Sequence, residues 1–141
     1  VVIVGFGLTF PILNVDEFIA HKNLDRAARG LELDGEYLKE LTNDAVPALL
    51  SAYNDPSASQ LIKDTLGPDL ACRSSRIAAE DQQPWQGYNL SDARAARLLN
   101  ASAASLNQFT VRYNEKGYPI WEVMVNNQWQ NCDRQYDDYI D

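Results

Sequence analysis

The side chains that could do chemistry in this chain are few and scattered. His21 is the only histidine. It follows Asn14, Asp16 and Glu17 closely in sequence, a neighbourhood in which an imidazole could act as a general base. No serine or cysteine stands at a recognisable motif spacing from it, and catalysis of that kind needs a second positioned group. A solvated surface histidine is the plainer reading, and no catalytic residue is assigned. A zinc site needs three or four Cys, His or carboxylate ligands at short spacing, and none occurs. Asp133, Asp137 and Asp138 lack the EF-hand pattern and its glycine. No metal or other cofactor is therefore assigned. Asp44 and Asp55 stand just ahead of Pro47 and Pro56, where helix capping explains both. Cys72 and Cys132 are too far apart for a CxxC pair. In an oxidising compartment they could close one long loop, worth ~3–4 kcal/mol in the chain-entropy picture. In a reducing one they would be two small apolar side chains.

Aromatic residues crowd the C-terminal half: Trp85, Tyr88, Tyr113, Tyr118, Trp121, Trp129, Tyr136 and Tyr139. Strand alternation sends Tyr118, Ile120, Glu122 and Met124 one way and Pro119, Trp121, Val123 and Val125 the other. The second set is drier and reads as core. The first set, joined by Tyr113 and Trp129, is the candidate ligand or partner face, with Tyr113, Tyr118, Glu122 and Trp129 as its principal residues.

The elements that must carry these side chains are helical up to Leu106. Asn14 and Glu17 form an N-x-x-E capping box opening a helix that Gly30 stops. Its apolar stripe is Ala20, Leu24, Ala27, Ala28 and Leu31. Asp34 caps a short helix over Gly35 to Leu41. Pro47 must lie in a first turn, which places an N-cap at Asp44. Asp55-Pro56 repeats the device, and Gly67-Pro68 reads as a stop. A further helix follows from about Asp69 to Glu80. Pro84 to Gly87 reads as a turn, after which Asn89 or Ser91 caps a helix from about Asp92 to Leu106. Beyond Phe109 the pattern becomes Thr110–Tyr113, a turn at Asn114–Gly117, Tyr118–Val125, a tight hairpin at Asn126-Asn127, and Gln128–Cys132. The expected fold is α+β: an N-terminal array of about five helices, then a C-terminal three-stranded antiparallel meander. The tail Gln135 to Asp141 is acidic.

Residues 1–13 stand apart. VVIVGFGLTFPIL carries no charge. Gly5 and Gly7 imitate a dinucleotide-binding fingerprint, but Phe10 fills its third glycine position and Pro11 breaks the helix that should follow. A nucleotide-binding fold is disfavoured on that ground. As a helix the run would span only ~20 Å of a ~30 Å hydrocarbon core, which suits the end of a membrane span rather than a whole one. A buried first element of the domain is the alternative. Residues 14–141 then read as one soluble α+β domain. With a formal net charge of -8 in 141 residues and no Lys/Arg run, the surface should repel phosphates, so no nucleic-acid partner is expected.

Three stretches carry a resemblance. They are Asn14-Val15-Asp16 with Ile19-Ala20 and Asn23; Asp34 with Tyr37-Leu38; and Asp44-Ala45-Val46-Pro47-Ala48-Leu49. Together they resemble a family of uncharacterised bacterial multi-pass membrane proteins with a C-terminal domain of unknown function. There a last span runs into an N-x-D-x-x-I-A-x-x-N helix, then D-x-x-Y-L and D-A-V/I-P-A-L segments. Trp85, Asn89 and Arg94-Ala95 also look similar. The resemblance implies no activity. It implies that residues 1–13 leave a membrane and that Asn14, Asp16, His21 and Asn23 lie at the membrane-proximal junction. The expected function is that of a membrane-tethered interaction or sensing module on the extracytoplasmic side of a bacterial cell membrane. Its partners would be the membrane through residues 1–13, and either another protein or the rest of its own membrane domain. A small hydrolase or transferase, with a site between helices and sheet, is the alternative.

Overall fold

The computed structural model describes residues 14–80, 90–117 and 119–132. Among them the chain folds as α1 (Val15–Ala28), α2 (Gly35–Glu40), a 3-10 turn (Asn43–Ala45), α3 (Val46–Asn54), α4 (Gln60–Glu80), α5 (Leu90–Ala101), α6 (Ala103–Leu106) and the strands β1 (Val111–Asn114), β2 (Ile120–Val125) and β3 (Gln128–Asn131). The strands form one antiparallel sheet in the order β1-β2-β3. This is the α+β architecture that the punctuation predicts. The expected features at residues 1–13, Pro84 to Asn89, Tyr118 and the acidic tail lie outside the described residues.

Local signals explain most of the boundaries. Asn14 caps α1 by accepting the Glu17 backbone N–H through its side-chain oxygen, and its side-chain amide, rather than its backbone N–H, donates to the Glu17 carboxylate at 2.9 Å. At the other end of α1 the Leu31 N–H reaches the Arg26 carbonyl and the Gly30 N–H reaches that of Ala27. This is a Schellman closure, and Gly30 adopts φ +82° there without a Cβ penalty. Asp34 caps α2 by accepting the Tyr37 N–H. Asn126 and Asn127 both take positive φ, as the two-residue β2–β3 hairpin requires.

Four predicted boundaries are corrected. Asp44 does not cap α3. It lies within the 3-10 turn, Ala45 occupies the cap position without a side-chain bond, and Pro47 falls in the first turn. Asp55 ends α3 rather than opening the next helix. The Ser59 hydroxyl accepts from the Ile62 N–H at the start of α4. The third correction is the largest: α4 runs unbroken through Gly67-Pro68. Both residues are buried. A Cβ on Gly67 would lie 2.3 Å from the Phe109 ring and 3.1 Å from that of Tyr53. Glycine there admits the Phe109 ring against the helix, and that packing offsets the N–H lost at the proline. Ser102 also interrupts the predicted 92–106 helix, dividing it into α5 and α6.

The core has two parts. The larger collects Ala20 and Leu24 of α1, Leu38 of α2, Val46 and Leu49 of α3, Leu66 and Leu70 of α4, and Leu99 of α5. The smaller seats the sheet on α4. Cys72 is bonded to Cys132 across a separation of 60 residues, with Val123 buried beside them and Val111, Trp121 and Val125 packed around. Trp121, Val123 and Val125 thus face inward as their alternation predicts.

One polar device sits within this frame. Arg73 and Asp69 of α4 are only 6% and 7% exposed. The Arg73 Nε–H donates to Asp69 at 2.9 Å. Its two terminal nitrogens donate to the carbonyls of Leu38, Lys39, Leu41 and Thr42 at 2.9–3.3 Å. These carbonyls lie at and just beyond the end of α2, where those of Leu38 and Thr42 also accept the Leu41 and Ala45 N–H groups. Arg73→Met should destabilise the domain by ~3–5 kcal/mol, because it leaves Asp69 buried without its cation. Urea unfolding checks this. Arg73→Lys should recover little, since one ammonium cannot span the same carbonyls.

Candidate functional site

The motif residues at the start of the chain converge on one polar junction. Asn14 Nδ2 donates to the Asp44 carbonyl at 3.2 Å. Asp16 accepts both the backbone N–H (2.9 Å) and the hydroxyl (2.5 Å) of Thr42. The Ser91 hydroxyl donates to the Asp44 carboxylate, and Asn43 donates to Asp92 at 2.8 Å. Arg94 closes the edge with an ion pair to Glu17 at 3.6 Å, more than half exposed on the arginine side. The N-terminus of α1, the 3-10 turn and the start of α5 are therefore fastened together where residue 13 joins residue 14. Asp44 serves here as a tie between turn and helix, a use that its sequence position ahead of Pro47 conceals.

Of the four predicted junction residues, Asn14 and Asp16 meet in this network. His21 does not. It is exposed and lines an open groove of about 380 Å³ between α1, α3 and the turn before α4. Asp25, Ser51, Asp55, Ser57 and Ser59 supply polar groups there, over a floor that includes Ala48, Ala52 and Ile62. Asn23 is half-buried on α1, outside both the junction bonds and the groove lining. The carboxyl of Asp55 is held below its ordinary value by hydrogen bonds from the Ser57 hydroxyl and backbone N–H, both at 2.7 Å, with Lys63 adding a weaker attraction. Among the described residues no group of three or more His, Cys, Asp or Glu is placed to hold a metal ion.

The sheet face divides differently from the sequence expectation. Glu122 and Trp129 share the outer face. Arg112 joins them, 2.8 Å from the Glu122 carboxylate with its guanidinium stacked 3.7 Å from the Trp129 ring centroid. Tyr113 is not their companion. It pairs in register with Trp121, so its ring lies on the inner side, 5.1 Å from the Trp121 ring and 48% exposed at the rim. Arg112 was missed because it becomes part of this face only through its cross-strand register with Glu122. The space between α4 and the sheet, where the hydrolase or transferase alternative would lie, holds the apolar cluster around the disulfide.

Fold and contacts together define a small α+β domain, disulfide-stapled, whose polar junction gathers residues from α1, the 3-10 turn and α5. Residues 1–52 match the model of a family described as a domain of unknown function (DUF4153). The match includes Asn14, Asp16, Thr42 and Asp44 of the junction and stops short of α4, α5 and the sheet. No curated protein and no solved structure matches the chain. No helix among the described residues is long and apolar enough to cross a membrane.

The Asp55 carboxylate provides a titration test of the groove. Its folded pKa is depressed, so its contribution to stability is present above the ordinary value of 3.8 and is lost as pH falls through the lower folded value. Ser57→Ala should move the titration back up toward 3.8, read by the carboxyl carbon shift of Asp55 in an NMR pH series.

Proposed function

We propose that this chain is the exit of a membrane span followed by an extracytoplasmic interaction or sensing module of a bacterial membrane protein. The observation that carries the reading is the juxtaposition at residue 14. A charge-free run of thirteen residues leads directly into the capped start of α1. The same cap residue, Asn14, is bonded to the 3-10 turn. A span ending there would hand its position straight to the domain's junction. The resemblance to multi-pass membrane proteins supports the same assignment. The outer sheet face of Arg112, Glu122 and Trp129 is the partner-facing surface in this reading. Stacked aromatic and guanidinium groups are the side chains on which protein interfaces most often depend.

The disulfide supports the extracytoplasmic side, since such bonds persist in oxidising compartments and are rare in the cytosol. The basic residues of α1 pull the other way, because Lys and Arg near a span favour the inside. That tendency is statistical, whereas a buried cystine needs an oxidant to form at all, and the cystine carries more weight.

Two measurements test the proposal. Deleting residues 1–13 should leave a folded, soluble domain with an unchanged thermal transition, while the intact chain partitions with membranes. Loss of folding on deletion would make those residues core and end the tether reading. In producing cells, Cys72 and Cys132 should resist alkylation until a reductant is added. Rapid alkylation without reductant would place the domain in the cytosol.

A further inference from the structure

The net charge of -8 conceals a local exception. Along α1, Val15, Phe18, Lys22 and Arg26 follow one another by three or four residues, and the series closes on the C-cap residue Arg29. Side chains at that spacing stack along one face of a helix. All five are exposed, Val15 at 49% and Phe18 at 59%. The Lys22 ammonium lies 5.5 Å from the Phe18 ring centroid. Two acids of α1 are directed elsewhere, Asp16 to Thr42 and Glu17 to Asn14 and Arg94, while Asp25 borders both the groove and the stripe, three residues from Lys22 and four from Arg29, leaving the stripe a net positive charge. The stripe is therefore apolar where the helix begins and basic where it ends, over about 21 Å of helix.

We infer that this stripe of α1 is a docking surface for an anionic phospholipid bilayer. The inference rests on the tether reading for its starting point. If residue 13 leaves the hydrocarbon, Val15 is within one turn of it and Phe18 within two, at the depth where apolar and aromatic side chains settle. Lys22, Arg26 and Arg29 then continue along the same line at headgroup level. An apolar segment followed by Lys and Arg on one face is the arrangement by which helices lie along an interface, and the charges complement anionic headgroups. The rest of the acidic domain would be held off the surface by repulsion, so α1 alone would set its orientation. The sequence expectation that no basic cluster exists is true of the linear order and fails on the helix, where spacing assembles one.

The test uses the whole 141-residue chain with its disulfide kept oxidised. A polarity-sensitive fluorophore is attached to single cysteines introduced as Phe10→Cys, Phe18→Cys and, for comparison, Leu61→Cys on α4. The protein is mixed with phosphatidylcholine vesicles with or without phosphatidylglycerol, some carrying nitroxide headgroups. The position 18 label should be quenched with phosphatidylglycerol present and the position 61 label should not. The triple change Lys22→Glu, Arg26→Glu, Arg29→Glu should abolish quenching at 18 and leave the position 10 label in hydrocarbon, with circular dichroism unchanged. A position 18 label as water-exposed as that at 61, with position 10 in hydrocarbon, overturns the inference and spares the tether. Quenching at 18 with position 10 in water supports the stripe and overturns the tether. Exposure at both ends both. Quenching that survives the triple change removes the electrostatic part.

Discussion

The buried guanidinium of Arg73 is the constraint around which this domain is arranged. A guanidinium, with five N–H donors, is tolerable inside a protein only if those donors find acceptors. Here one carboxylate and the carbonyls at the end of α2 supply them. The bond set also ties the end of α2 to α4, adding to the Leu41 and Ala45 N–H groups that reach the Leu38 and Thr42 carbonyls. Among the described residues no buried side-chain polar atom is left without a partner. Cys72 stands immediately before Arg73. Neighbouring residues on a helix point about 100° apart. One therefore reaches the sheet through the disulfide while the other reaches α2. Two adjacent positions on α4 hold the two halves of the fold together.

That arrangement also explains what could be read from sequence and what could not. The Asn14 cap, the Gly30 stop, the Asp34 cap and the Asn126-Asn127 hairpin were legible because each depends on a few consecutive residues. Gly67-Pro68 misled because the reason for a glycine there lies 42 residues away in Phe109. In isolation the pair ends a helix; against that ring it is accommodated within one. Asp44 misled in the same way. A carboxylate before an apolar helix is ordinarily a cap, but Ser91 claims this one.

The candidate site shows the same division. Asn14 and Asp16 stood out in the sequence by their motif, yet their partners Thr42 and Asp44 became evident only once α1 was packed against the 3-10 turn. His21 was grouped with them by proximity in sequence, although it lies on the groove side of α1. Tyr113 was grouped with Trp129 by type, although strand register puts it on the opposite face. Counting charges along the chain likewise hides Lys22, Arg26 and Arg29, which only helical periodicity brings into line. The stretch that matches a family model, residues 1–52 of 141, contains Asn14, Asp16, Thr42 and Asp44 of the junction but not Ser91, Asp92, Arg73 or either cysteine. The match thus includes Leu38, Val46 and Leu49 of the main core but neither the buried Arg73 nor the disulfide.

The matched stretch and these two elements are nevertheless physically continuous. Asp16 binds Thr42, the Thr42 carbonyl accepts from Arg73, and Arg73 is adjacent to the cysteine that anchors β2 and β3 through Cys132. Satisfied polar networks of this kind rigidify the elements they join. A displacement delivered at Asn14 would meet few soft joints before the sheet, because its path runs through hydrogen bonds, one short stretch of helix and a covalent bond.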